Sequence, residues 1–357
     1  MITYTLPSPT ELSGFYVLYK GSSTAEDESL KGASHMLEHL VSKYLTPLIL
    51  EMNQYAVEYG ATTSDDYVCY YITGLEEYVA KYTDVLFQKL TEPISFSQDD
   101  FDKEKIIIMR EINTKRINPS NKMVYQFLKE NLNYDGSAGT ISSVNALTLE
   151  QIKKLYTEQY KEPYMTIRVS NQCFYNMQQI GPHHSLKPIV SLEKLTQHLS
   201  LPCTTNENVF MAVSPVIHNS FLPLSQIINY MLCGTIESPL LKKLREQMQL
   251  CYSVDVKYFP LGDYHFNYIY VVLPSEMMQS AKVEIKQILN DALFLTAENI
   301  KRTKKYFSIL DRIHKANRYA DIRHLLYNTI YAVADIESIE CGAVVNHYNL
   351  FYRSSIV

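Results

Sequence analysis

The hydrophobic period changes several times along the chain, and each change marks an element. Phe15-Tyr16-Val17-Leu18-Tyr19 is an unbroken apolar run of strand length, and Tyr67 to Thr73 is a second, rich in aromatic and β-branched residues. Between them, Ala33 to Tyr44 carries Met36, Leu37, Leu40 and Val41 at spacings of three and four, which predicts a helix with one packing face. Helical spacing returns over 76–91, 99–117, 121–132 and 148–159, and a strand from Met165 to Val169 closes this half. Thr148, with Gln151 three residues on, predicts a capping box.

Sustained periodicity lapses from Ser170 to about Gln197, where Gly181-Pro182-His183-His184 and Lys187-Pro188 read as a connecting segment. Adjacent histidines beside Gly-Pro fit a solvated loop better than a ligand pair. The second half then repeats the plan: a strand at Val209 to Val213, helices over 224–233 and 239–249, strands over 252–258 and 264–273, and long helices from 276 and 297. Ser238-Pro239 predicts an N-cap with proline at the first helical position. The expected architecture is α+β in two similar domains, 1–172 and 198–357, joined by a linker over 173–197. Each domain is expected to be a mainly antiparallel sheet with helices packed on one face.

Composition narrows the partners. A chain of 357 residues, 46% hydrophobic and 20% charged, has material for two cores. Its net charge of -5 argues against nucleic acid or an anionic membrane as the main partner. No apolar run approaches the roughly 20 residues of a membrane span. Met1 to Pro7 lacks a basic region followed by an apolar core, so no secretory signal is expected. The six cysteines, Cys69, Cys173, Cys203, Cys233, Cys251 and Cys341, are scattered and form no C-x-x-C pair. They read as reduced thiols, which makes the cytoplasm the expected compartment.

The chemistry concentrates in His35-Met36-Leu37-Glu38-His39. On a helix, His35 and His39 stand one turn apart on one face, so both imidazoles can reach one ion. Glu38 lies beside them, within reach of a water activated there. This H-x-x-E-H order is the inverse of the commoner zinc motif. A catalytic zinc takes a third protein ligand and keeps one position open. The candidates are Glu104 and Glu111, two turns apart on the helix over 99–117, on a side expected to carry Ile107 and Ile108 as well. A carboxylate on an apolar face is costly unless something pairs with it. Glu111 therefore calls for a cation, either a metal or a lysine or arginine near a helix end.

Gly32-Ala33-Ser34-His35-Met36-Leu37-Glu38-His39 resembles the active-site helix of the pitrilysin/insulinase family of inverted-motif zinc metallopeptidases. Glu104 and Glu111, followed by Ile112 and Asn118-Pro119, resemble its second signature. The resemblance implies one Zn2+ per chain on His35, His39 and Glu111, with Glu38 as catalytic base and Glu104 supporting the site. Thr63 to Tyr71 is similar to the strand that pairs with substrate, which implies substrate contacts at Ala61 and Thr63 and a peptide added near Thr63 to Tyr70. The segment Ser238 to Glu246, followed by Leu250 to Val254, is similar to the family's arginine–tyrosine segment, which implies that Arg245 and Tyr252 contact substrate. Two departures stand out. Gly60-Ala61 replaces the family's Asn-Ala, and the glycine-rich turn of the second half is thinned to Cys233-Gly234-Thr235.

The resemblance implies a metalloendopeptidase acting on short unfolded peptides or on leader or presequence segments. The alternatives are a non-catalytic scaffold or partner subunit, and a dedicated leader peptidase in peptide maturation. Because the chain holds one metal motif and one arginine–tyrosine pair, a homodimer or a heterodimer with a related chain is expected.

Overall fold

The computed structural model describes residues 2–8, 10–20, 26–64, 67–117, 119–132, 134–160, 162–170, 208–214, 217–261, 264–316 and 336–353. The expected linker over 173–197, His183, His184, Cys173 and Cys203 lie outside them. Residues up to Ile117, with those from Asp135 to 170 and 314–316, form one compact unit. Residues 119–132 with Tyr134, then 208 to Ile313, and 336–353 form the second.

The first unit is built on five strands: β1 (Ile2–Pro7), β2 (Leu12–Lys20), β3 (Glu58–Thr63), β4 (Tyr67–Leu75) and β5 (Met165–Ser170). Their order is β1-β5-β2-β4-β3. Only β1 with β5 is parallel, Ile2 opposite Met165; the other pairs are antiparallel. The middle strand β2 is buried without interruption from Ser13 to Tyr19, as its unbroken apolar run predicted. Its alternate residues Phe15, Val17 and Tyr19 join Val68, Tyr70 and Ile72 of β4 in one core with helices α1 (Ala33–Tyr44), α2 (Thr46–Asn53) and α3 (Glu76–Thr91). Met36, Leu37, Leu40 and Val41 of α1 are the buried face foreseen from their spacing.

Beyond α3 lie α4 (Gln98–Ile117), α5 (Pro119–Leu132), α6 (Ile141–Ala146) and α7 (Leu149–Gln159), of which α5 clusters with the second unit. The capping box at α7 forms. The Thr148 hydroxyl accepts from Gln151 N at 3.3 Å, and Gln151 Oε1 accepts from Thr148 N at 2.9 Å. Within the first unit, β1, β3, α2 and α6 escaped the periodicity. β1 exists only through β5, far along the chain. β3 interrupts its pattern with Gly60, because a Cβ there would stand 2.3 Å from the Tyr71 ring opposite it.

In the second unit, β9 (Tyr264–Leu273) pairs antiparallel with β8 (Ser253–Leu261) on one side and with β6 (Asn208–Val213) and β7 (Ile217–His218) on the other. Helices α8 (Leu222–Cys233), α9 (Met278–Asp291), α10 (Ala297–Ala316) and α11 (Cys341–Tyr348) complete it. Ile227, Leu232, Val271, Ile285 and Val344 share its core. The α+β reading holds for both units.

The helix expected over 239–249 forms over 239–247, and its Leu241–Gln247 part is wound as a π-helix that stops short of Gln249, whose φ is 53°. Ser238 does not cap it; its hydroxyl accepts backwards from Thr235 N at 3.0 Å. Cys69, Cys233 and Cys251 are buried free thiols, and Cys341 is half-buried and free. No helix among the described residues is long and apolar enough to cross a membrane.

Candidate metal centre

Helix α1 begins at Gly32, whose φ is 89° and whose missing Cβ would lie 2.7 Å from the Ala138 carbonyl. The first N–H groups of the helix are not capped by its own neighbours. Glu26 reaches in instead, accepting from Gly32 N at 2.8 Å and Ser34 N at 2.6 Å. Burial raises the Glu26 carboxyl, and these backbone bonds oppose it. Nothing in the spacing pointed to Glu26, because it bonds main chain rather than a patterned side chain.

From this anchored start His35 and His39 project on one face of α1, their rings 4.8 Å apart and nearly perpendicular. Helix α4 brings Glu111 to them. Its Oε2 lies 3.7 Å from His35 Nε2 and 3.5 Å from His39 Nε2. One ligand atom from each of the three residues lies within 4.8 Å of the others, and no other such grouping of three occurs among the described residues. On the far side of His39, Nδ1 meets Glu104 Oε2 at 3.0 Å, which leaves Nε2 to face the centre. The expected face of α4 is partly corrected. Phe101, Glu104, Ile108 and Ile112 are buried, but Ile107 is 46% exposed, because it stands at the margin of the stripe.

The electrostatics fit a divalent ion. Burial, aided by His39, lowers His35 to about 4, so its imidazole is neutral as a ligand must be. His35 Nδ1 is buried without a partner. For His39, burial works downward but the bonds to Glu111 and Glu104 outweigh it and raise its pKa. Glu111 is held down to about 2, chiefly by His39, against burial and with help from Lys115. Its Oε1 takes Lys115 Nζ at 2.5 Å. Of the two cations anticipated for Glu111, the lysine is present on one oxygen, and the other oxygen faces two imidazoles that could share a metal ion with it. Lys115, four residues on, was legible as a helical ion pair.

Glu38 sits among these groups with its Oε2 accepting from Thr63 Oγ1 at 2.6 Å. Burial raises the Glu38 carboxyl, and the Thr63 bond is the largest opposing influence. Thr63, expected from the resemblance to contact substrate, ends β3, and its side-chain hydroxyl donates to Glu38. Ala61, two residues back, packs half-buried against the core. β4 is flanked by β2 and β3, so the sheet edge expected near Thr63 to Tyr70 is corrected to β3, Glu58–Thr63. In the second unit the Arg245 guanidinium lies 5.7 Å from the Tyr252 ring, and Tyr252 is 85% exposed. The structure brings these two together as a pair.

Comparison with known proteins agrees with this geometry. Residues 6–141 match the family described as Insulinase (Peptidase family M16), and residues 222–307 match Peptidase M16 inactive domain. An uncharacterized zinc protease of Streptomyces coelicolor is 26% identical over 186 residues, 49% of this chain and 40% of that protein. An uncharacterized zinc protease of Bacillus subtilis is 24% identical over 258 residues, 65% of this chain and 61% of that protein. The chain thus spans less than two thirds of the length of both. A protease from Helicobacter pylori shares the fold, with a TM-score of 0.75 at 16% identity over 99% of this chain and 95% of that one. Two matching domains, in the order the fold displays them, make this chain a member of the insulinase peptidase family.

Proposed function

We propose that the chain is a zinc-dependent endopeptidase for short unfolded peptides. One observation supports it most: two imidazole nitrogens and a carboxylate oxygen converge within 4.8 Å beside a half-buried carboxylate held by a hydroxyl. His35, His39 and Glu111 would hold zinc, one per chain, a donor set of the kind that leaves a coordination position free. When bound, zinc supplies Lewis acidity toward a carbonyl and a water. Glu38 is the base. With Oε2 fixed by Thr63, its Oε1 takes the proton of the attacking water and returns it to the leaving amine. Glu104 fixes the His39 tautomer by accepting from Nδ1. A peptide adds as an extended strand to β3, whose outer edge has no partner strand among the described residues, and main-chain bonds hold it with little dependence on sequence. Ala61 belongs to that edge. Arg245 and Tyr252 are assigned to substrate at the metal centre of a second, partner chain.

A scaffold role is disfavoured because all three donors and the base are in place. The test is zinc analysis of the pure protein with a quenched-peptide cleavage assay. Wild type should cleave, and Glu38→Gln should retain about one zinc and lose turnover. Turnover by Glu38→Gln refutes the base.

A further inference from the structure

The two histidines of α1 are held in different ways. His39 has a carboxylate on the ring nitrogen that faces away from the centre, Glu104 Oε2 at 3.0 Å from Nδ1. His35 has no such support: its Nδ1 is buried without a partner, while its Nε2 lies 3.7 Å from Glu111. A ring that lacks a second hydrogen bond takes its orientation from packing and from the main chain that carries it. For His35 that main chain is the first turn of α1, three residues past Gly32.

The first turn is the least secure part of a helix, because its N–H groups have no acceptor within the helix. Gly32 and Ser34 are buried, so solvent is a poor substitute here. Gly32 offers no side-chain cap, and the turn contains no acidic residue. A capping side chain at position 32 is ruled out by space, since even a Cβ there would lie 2.7 Å from the Ala138 carbonyl. Glu26 supplies both acceptors from six residues back. Its two oxygens take Gly32 N at 2.8 Å and Ser34 N at 2.6 Å, the second on the residue next to His35. Without that carboxylate two buried N–H groups lose their partner, and the turn is free to fray and carry His35 with it. We propose that Glu26 is a positioning residue of the metal centre: through the first turn of α1 it fixes His35, as Glu104 fixes His39. That role rests on the zinc peptidase reading, while Glu26 itself lies outside both motifs behind it.

The test uses the full chain and three variants. Glu26→Gln leaves one good acceptor and sets an amide N–H against the other donor, whereas Glu26→Asp keeps the charge but is one methylene short. Ser13→Ala is the control. It deletes another buried bond of the same unit, Ser13 Oγ to the Val169 carbonyl at 2.7 Å, at the end of β2 remote from Thr63. Zinc affinity of the folded chains is read by competition with a chelator, and Co2+ in place of zinc reports ligand geometry through its visible absorption. Glu26→Gln should weaken zinc by about 10- to 100-fold and alter the Co2+ spectrum, as loss of a ligand's support does. Glu26→Asp should weaken zinc less, and it carries the comparison if Glu26→Gln does not fold. Ser13→Ala should lower Tm and leave zinc affinity unchanged. In the metal-free chains, Glu26→Gln should shift the imidazole NMR signals of His35 and leave those of His39 in place. Wild-type zinc affinity in Glu26→Gln, or an equal loss in Ser13→Ala, makes Glu26 a cap and nothing more; the proposal then falls and zinc binding by the chain stands. If the wild type binds no zinc, the peptidase reading falls, and the His35 signals alone then uphold or overturn the role of Glu26.

Discussion

Replacing Thr63 by valine isolates one hydrogen bond. Valine keeps the branched shape and suits an extended strand, so the pairing of Thr63 with Val68 across β3 and β4 should survive. What disappears is the 2.6 Å bond from Oγ1 to Glu38 Oε2. A bond to a charged acceptor contributes about 1.5–3 kcal/mol, and here it also fixes the carboxylate that must move a proton. The expected loss is about 10- to 100-fold in kcat with KM little changed, because the bond aids the reacting arrangement rather than peptide binding. The sign of the pH effect follows. Burial already raises Glu38, and Thr63 opposes it. Without Thr63 the carboxyl pKa rises further, so the base ionises only at higher pH. The acid limb of the rate profile should move upward and the deficit should be greatest at low pH. Quenched-peptide kinetics across pH, with zinc stoichiometry as a control, make the measurement. Thr63→Ser should recover most of the rate. A valine variant with unchanged kcat and raised KM refutes the reasoning and returns Thr63 to substrate contact.

Three further outcomes are expected. Glu111→Ala should lose zinc in equilibrium dialysis, as should His35→Ala and His39→Ala; tight zinc binding by Glu111→Ala would make Glu104 the third ligand. Gly60→Ala should cost about 1–3 kcal/mol in thermal unfolding, because the added Cβ meets a Tyr71 ring already stacked on Tyr16 at 5.5 Å; an unchanged Tm contradicts this. Mixing Glu38→Gln chains with Arg245→Ala/Tyr252→Phe chains should restore part of the activity, since one site of a mixed dimer has both an intact base and an intact opposing pair. No recovery despite subunit exchange removes the cross-chain role.

What the chain's own pattern determined was whatever rests on local spacing. The one-turn separation of His35 and His39, the two-turn separation of Glu104 and Glu111, the buried run of β2 and the Thr148 capping box depend on neighbours within a few residues, and helical or strand periodicity carries that information. Contacts between segments were not legible. Glu26 caps α1 across a turn, Thr63 reaches Glu38 from another element, and β1 becomes a strand only beside β5. Each is a bond between residues whose spacing carries no period. The same limit placed the open sheet edge on β4, where the aromatic pattern is strong. A strand flanked on both sides has no edge to offer, and only the order β2-β4-β3 decides which strand that is. Gly60 joins both kinds of information. As a residue it reads as a departure from the family's asparagine, and the Tyr71 ring across the ladder supplies the steric reason for it.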